Sequence, residues 1–65
     1  MARWVEIKGR QFWILSEPQG GPGWKATVIE ENGETREDIG IDATADTRVA
    51  ADDAAERALR RLLQA

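Results

Sequence analysis

The hydrophobic residues of this chain change their spacing once, close to Thr47. Before that point apolar and polar residues tend to alternate, and after it alanine and leucine recur every third or fourth residue. Alternation is typical of half-buried β-strands, and a spacing of three to four residues is typical of an amphipathic α-helix. The sequence therefore predicts a sheet followed by a single helix.

Four segments before Thr47 have strand character, and turn signals separate them. Gly9-Arg10 and Asn32-Gly33 are typical of two-residue hairpin turns, because glycine and asparagine tolerate positive φ. Residues 17–23, EPQGGPG, contain two prolines and three glycines and are predicted to form a loop. The predicted strands are RWVEIK at 3–8, QFWILS at 11–16, WKATVIEE at 24–31 and ETREDIGID at 34–42.

The C-terminal segment, residues 47–63, is predicted to be the helix. Thr47 is a suitable N-cap, and Asp53 followed by Glu56 offers a second start. Acidic residues near the front and arginines near the back complement the helix dipole. The predicted apolar stripe consists of Ala51, Ala55, Ala58, Leu59 and Leu62, with Ala54 and Leu63 at its edges.

These elements predict one α+β domain over residues 1–65, with the order β-β-β-β-α. The simplest architecture is a four-stranded antiparallel sheet with one C-terminal helix packed on one face. On folding, a chain of 65 residues buries only about 60% of the surface that it exposes when extended, and this chain contains no cysteine for disulfides. Dense packing or oligomerisation is therefore expected to supply the remaining stability.

The composition argues against catalysis. Histidine and cysteine are absent, so the usual nucleophiles, bases and thiolate or imidazole metal ligands are missing. Adjacent carboxylates such as Asp52-Asp53 are expected to be solvated charges, and the acidic segment at 42–46 lacks the ligand spacing of a calcium loop. We predict no enzyme activity, no cofactor and no specific metal site.

A single helix covers only one face of a sheet, and the tryptophans make the second face important. The second predicted strand is apolar on both sides, so large side chains remain opposite the helix whichever face the helix takes. We predict an interface, either of a homodimer or with another protein partner. The predicted interface residues are Trp4, Trp13, Trp24 and Leu15.

Binding of single-stranded nucleic acid is the alternative, because exposed indoles can stack on bases. The predicted phosphate contacts are Arg3, Lys8, Arg10 and Lys25. The formal charge is +2 over residues 1–25, −8 over 26–56 and +3 over 57–65. This acidic middle repels phosphate and favours the protein partner.

The sequence contains neither an apolar run of membrane-spanning length nor the apolar region of a signal peptide near its start. We therefore expect a cytoplasmic protein without a membrane partner.

The stretch TRVAADDAAERALRRLL resembles the last helix of a double-stranded-RNA-binding domain, with Thr47 at the cap and spaced alanines on the packing positions. GPGWKATVIEENGE resembles that domain's first strand and hairpin. The family's paired lysines correspond here to Arg48 and Val49, so its phosphate contacts do not carry over. The resemblance implies the domain's shape and not its RNA binding.

HicB-like antitoxin domains provide a second resemblance. Asp46-Thr47 with the alanine spacing is similar to their helix start, and Gly23-Trp24 is similar to the glycine-tyrosine entry to their second strand. This resemblance implies a dimeric protein-binding module. The order of four strands and a helix is also similar to single-stranded-DNA-binding coactivator domains, in topology alone.

Overall fold

The computed structural model describes residues 2–64, so both ends of the predicted domain, residues 1 and 65, lie outside it. Four strands and one helix follow each other in the predicted order. The strands form one antiparallel sheet in the order β1-β2-β3-β4, which confirms the predicted α+β fold class. The elements are β1 (Arg3–Ile7), β2 (Arg10–Pro18), β3 (Trp24–Asn32), β4 (Thr35–Ala45) and α1 (Arg48–Gln64).

Both short turns lie one residue away from the predicted positions. Ile7 pairs with Arg10, so the first turn is Lys8-Gly9 and not Gly9-Arg10. Lys8 and Gly9 have φ values of 53° and 78°, and a type I′ turn requires two positive values. In the second hairpin Asn32 pairs with Thr35, which puts Gly33 at the first turn position with a φ of 65°.

β4 contains a bulge that the alternation did not predict. The pairing with β3 shifts between Thr27 and Ile29, which lie opposite Asp42 and Asp38. Gly40 has a φ of 79° there, and its backbone N–H donates a 2.8 Å hydrogen bond to the Asp38 carboxylate. The bulge leaves Ile39 and Ile41 both packed against the core.

The helix begins where Thr47 predicts. The Thr47 hydroxyl accepts a hydrogen bond of 3.1 Å from the backbone N–H of Ala50, as an N-cap does. The start at Asp53 is therefore wrong, because the helix already begins at Arg48. The helix packs on β2, β3 and β4, and the buried core consists of Val5, Phe12, Ile14, Ala26, Val28, Ala51, Ala55 and Leu59.

Two helix residues differ from the predicted stripe. Leu62 is 53% exposed, and Leu63 instead packs against the core. Asp52 is only 6% exposed, and its Oδ1 atom has no hydrogen-bond partner. The buried face of the helix therefore includes one carboxylate, that of Asp52. In the last turn, Leu63 and not Leu62 packs against the core.

Candidate interaction surface

The face of the sheet opposite the helix carries the strand residues that alternate with the core. We call it the open sheet face. The pairing register arranges its side chains in rows across the strands, since residues two apart on a strand share a face. Its residues are Trp4 and Glu6 of β1, Gln11, Trp13, Leu15 and Glu17 of β2, Lys25, Thr27, Ile29 and Glu31 of β3, and Arg36, Asp38, Asp42 and Thr44 of β4.

The centre of the open sheet face is apolar. Trp4 pairs with Trp13, and Trp13 pairs with Ile29, so three large side chains form one row across three strands. Leu15 lies in the next row, beside Thr27. Trp4 is 48% exposed and Leu15 is 41% exposed, whereas Trp13 and Ile29 are half-buried. Such a contiguous exposed patch is typical of a binding surface.

A hydrogen bond fixes the central indole. Trp13 Nε1 donates to Glu31 Oε2 across 2.9 Å. Glu31 lies two residues beyond Ile29 on β3, so the bond runs diagonally to the neighbouring row. It satisfies the polar atom of Trp13 and leaves the remainder of the ring available for apolar contact.

Charged residues lie in the rows at the two ends of the apolar centre. One end row contains Glu17 and Lys25, and the other contains Glu6, Glu31 and Arg36. The Lys25 ammonium lies 4.0 Å from the Asp42 carboxylate, and Arg36 lies 4.0 Å from Glu31. Both distances are at the outer limit of an ion pair.

An apolar, aromatic centre between charged ends is the usual anatomy of a protein interface. The open sheet face carries five carboxylates and two cationic groups. Its formal charge is therefore negative, which is unfavourable for contact with a phosphate backbone.

The structure brings together three of the four predicted interface residues. Trp4, Trp13 and Leu15 share the open sheet face, whereas Trp24 lies on the helix side with Ala26. Trp24 is half-buried and packs against the core cluster. The alternation of the third strand already groups Trp24 with Ala26, and this was the signal for its position.

The four predicted phosphate contacts do not form one cluster. Arg3 hydrogen-bonds to Asp53 and Glu56 of the helix at 2.8 and 3.0 Å, and the bond to Asp53 is the main cause that raises the pKa of Arg3. Lys8 Nζ donates to the carbonyl of Leu63.

The other two residues of this set also have carboxylate neighbours. Arg10 makes two hydrogen bonds of 2.8 Å to Glu30, which lower the pKa of that carboxyl. Lys25 alone of the four lies on the open sheet face, next to Asp42. Three of the four predicted phosphate contacts therefore lie away from the exposed indoles.

Within residues 2–64, no group of three or more acidic side chains has the arrangement of a metal site. The same residues include no helix that is long and apolar enough to cross a membrane.

Comparison of the chain with family models, with curated proteins and with solved structures gives no match. The resemblances to HicB-like and double-stranded-RNA-binding domains therefore stay predictions from the sequence.

Proposed function

We propose that this protein is a non-catalytic protein-interaction module that forms a homodimer through its open sheet face. The observation that carries the proposal is the apolar row of Trp4, Trp13 and Ile29 with Leu15 beside it, in which Trp4 and Leu15 are exposed to solvent. Burial of these side chains against a second copy would remove apolar surface from water, which is the dominant driving force for association.

The size of the face supports a dimer. The molecule measures 35 × 25 × 16 Å along its principal axes. A stable interface buries roughly 800 Å² on each partner, and a face of about 35 by 25 Å is large enough to supply that area. Two sheets packed face to face also form a core of the kind found in β-sandwiches.

The charges favour a protein partner over single-stranded nucleic acid. Stacking of bases requires a positive groove beside the aromatic side chains. Here Lys25 and Arg36 are the cationic residues of the open sheet face, and each lies 4.0 Å from a carboxylate. Arg3 and Arg10, which would follow a phosphate backbone, are already hydrogen-bonded to carboxylates.

Sedimentation equilibrium over a range of concentrations tests the proposal. We expect a monomer–dimer equilibrium that Leu15→Gln weakens at least tenfold, because a polar amide would enter the apolar centre. Leu62→Gln is the matched control, since Leu62 is also an exposed leucine, at 53% against 41% for Leu15, and lies on the helix. The control variant should dimerise like the wild type.

A monomer at every concentration, or equal weakening by both variants, would contradict the proposal. Titration with an oligothymidylate at low salt, followed by tryptophan fluorescence, tests the nucleic-acid alternative. Quenching that saturates near micromolar oligonucleotide would replace the dimer proposal with a base-stacking surface.

A further inference from the structure

We infer that the two-fold axis of this dimer runs parallel to the strands, between β2 and β3, so that Glu17 of each copy faces Lys25 of the other copy. This inference rests on the proposed homodimer. It specifies which residues of the two copies contact each other across the interface.

The pairing register determines what such an axis superposes. A two-fold rotation about a line parallel to the strands leaves every row at the same position along the strands and reverses the order of the strands. β2 therefore lies over β3 of the second copy, and β1 lies over β4. Sheets packed in this aligned way are about 10 Å apart with strand directions that differ by about 30°.

The apolar side chains of the two central strands are complementary under this rotation, whereas Trp4 of β1 lies over Asp38 of β4 in the second copy. Trp13 and Ile29 share a row on the two central strands, so Trp13 of one copy lies over Ile29 of the other. Leu15 and Thr27 share the next row and meet in the same way. Each contact occurs twice, close to the axis, where interface residues are best shielded from water.

The charged end rows are complementary as well. Glu17 and Lys25 are cross-strand partners in one end row, so the rotation places each opposite the other in the second copy. In the other end row Glu6 of β1 lies over Arg36 of β4. Neither Glu6 nor Glu17 has an ion-pair partner within residues 2–64, so both carboxylates are available for a second copy.

A two-fold axis that also lies between the two sheets but runs perpendicular to the strands is less favourable. It reverses the order of the rows and places each strand over the same strand of the second copy. Asp42 would then face Asp38 of the second copy, since these two residues occupy the middle rows of β4. Opposed like charges are costly in an interface, and the parallel axis creates none.

Mixing of charge-reversed chains tests the inferred axis. Glu17→Lys and Lys25→Glu should each weaken homodimerisation about tenfold, because each puts like charges opposite each other twice per dimer. A one-to-one mixture of the two variants should form a heterodimer with an affinity within about threefold of the wild type. In each variant, positions 17 and 25 of the same chain carry like charges, and mixing the variants does not change this. Recovery of affinity in the mixture therefore reports contacts between the two chains.

Glu34→Lys is the matched control for Glu17→Lys. It makes the same change of charge in the turn between β3 and β4, away from the open sheet face. A mixture of Glu34→Lys with Lys25→Glu should not recover wild-type affinity. In 1 M NaCl the difference between the two mixtures should shrink, because the Debye length is then about 3 Å.

The outcomes separate this inference from the proposed function. If the wild type dimerises and the mixture of Glu17→Lys with Lys25→Glu does not recover, the axis is wrong and the dimer stands. If Glu17→Lys dimerises as well as the wild type, the axis is again wrong. If the wild type is monomeric at all concentrations, the proposed function fails.

Discussion

Trp13 and Glu31 are joined by a 2.9 Å hydrogen bond that crosses from β2 to β3 on the open sheet face. Glu31 also lies 4.0 Å from Arg36 on β4, so its carboxylate connects three neighbouring strands. The bond favours one orientation of the central indole in the folded chain. Such preorganisation reduces the entropy that binding has to overcome.

Replacement of Glu31 by alanine should therefore release the Trp13 indole. We expect a loss of about 0.5–1 kcal/mol in the free energy of unfolding, because the bond is partly exposed. The indole N–H resonance of Trp13 should also shift in a ¹⁵N–¹H correlation spectrum. Glu31→Gln retains an acceptor oxygen and should shift it less. An indole resonance that stays at its wild-type position in Glu31→Ala would contradict the assigned bond.

Leu59 and Leu62 are about one turn apart on the helix, but truncation of Leu59 should cost far more stability than truncation of Leu62. Leu59 is fully buried and Leu62 is exposed. We expect Leu59→Ala to cost about 2–5 kcal/mol of stability and Leu62→Ala to change it by less than about 0.5 kcal/mol. Urea denaturation of both variants measures the difference. Similar losses would show that the helix packs with its predicted stripe, including Leu62, against the sheet.

The sheet and the helix could be predicted because each has its own side-chain period. Alternation identified which residues of β2 and β3 share a face, and it grouped Trp24 with Ala26 and Val28. The threonine cap was recognisable because its hydroxyl acts on residues directly beside it in the sequence. Local chemistry of this kind is visible in a single chain.

Features that depend on distant residues were not predictable in the same way. The burial of Asp52 and the exposure of Leu62 depend on how the helix lies on the sheet, which its own spacing does not contain. Arg3 belonged to a predicted phosphate site, and only the folded chain brings it to Asp53, fifty positions away. Which face of the sheet the helix covers also depends on the folded chain, and this choice packs Trp24 against the core and leaves Trp13 and Leu15 on the open sheet face.

Acidification should weaken the contact between the helix and β1. Glu56 accepts hydrogen bonds from Arg60 and Arg3, and these bonds lower the pKa of its carboxyl in the folded state. Because the pKa of this carboxyl is lower in the folded chain than in the unfolded chain, where it is near 4.3, the ionised carboxylate stabilises the fold at pH values above that unfolded-state pKa. That stability is lost as the pH falls through the pKa of the folded state. Between pH 7 and pH 3 the wild type should lose up to about 1 kcal/mol more than Glu56→Gln.

Urea denaturation at the two pH values measures this difference. Glu34→Gln is the control, because Glu34 has no ion-pair partner within residues 2–64. Between pH 7 and pH 3, the free energy of unfolding of Glu34→Gln should decrease as much as that of the wild type. A Glu56→Gln variant with an equally large loss would assign the acid sensitivity to other carboxylates.

The bulge in β4 should depend on glycine at position 40. Gly40 has a φ of 79°, and an added Cβ atom would meet nothing within 4 Å, so any cost of a side chain comes from the backbone alone. Left-handed backbone costs an alanine about 1–2 kcal/mol, so Gly40→Ala should lower the free energy of unfolding by about 1 kcal/mol. Gly21→Ala is the matched control, since a Cβ atom there also meets nothing and no positive φ applies. Urea denaturation should show Gly21→Ala unchanged or slightly stabilised. If Gly40→Ala matches it, the bulge in β4 does not depend on a left-handed residue at position 40.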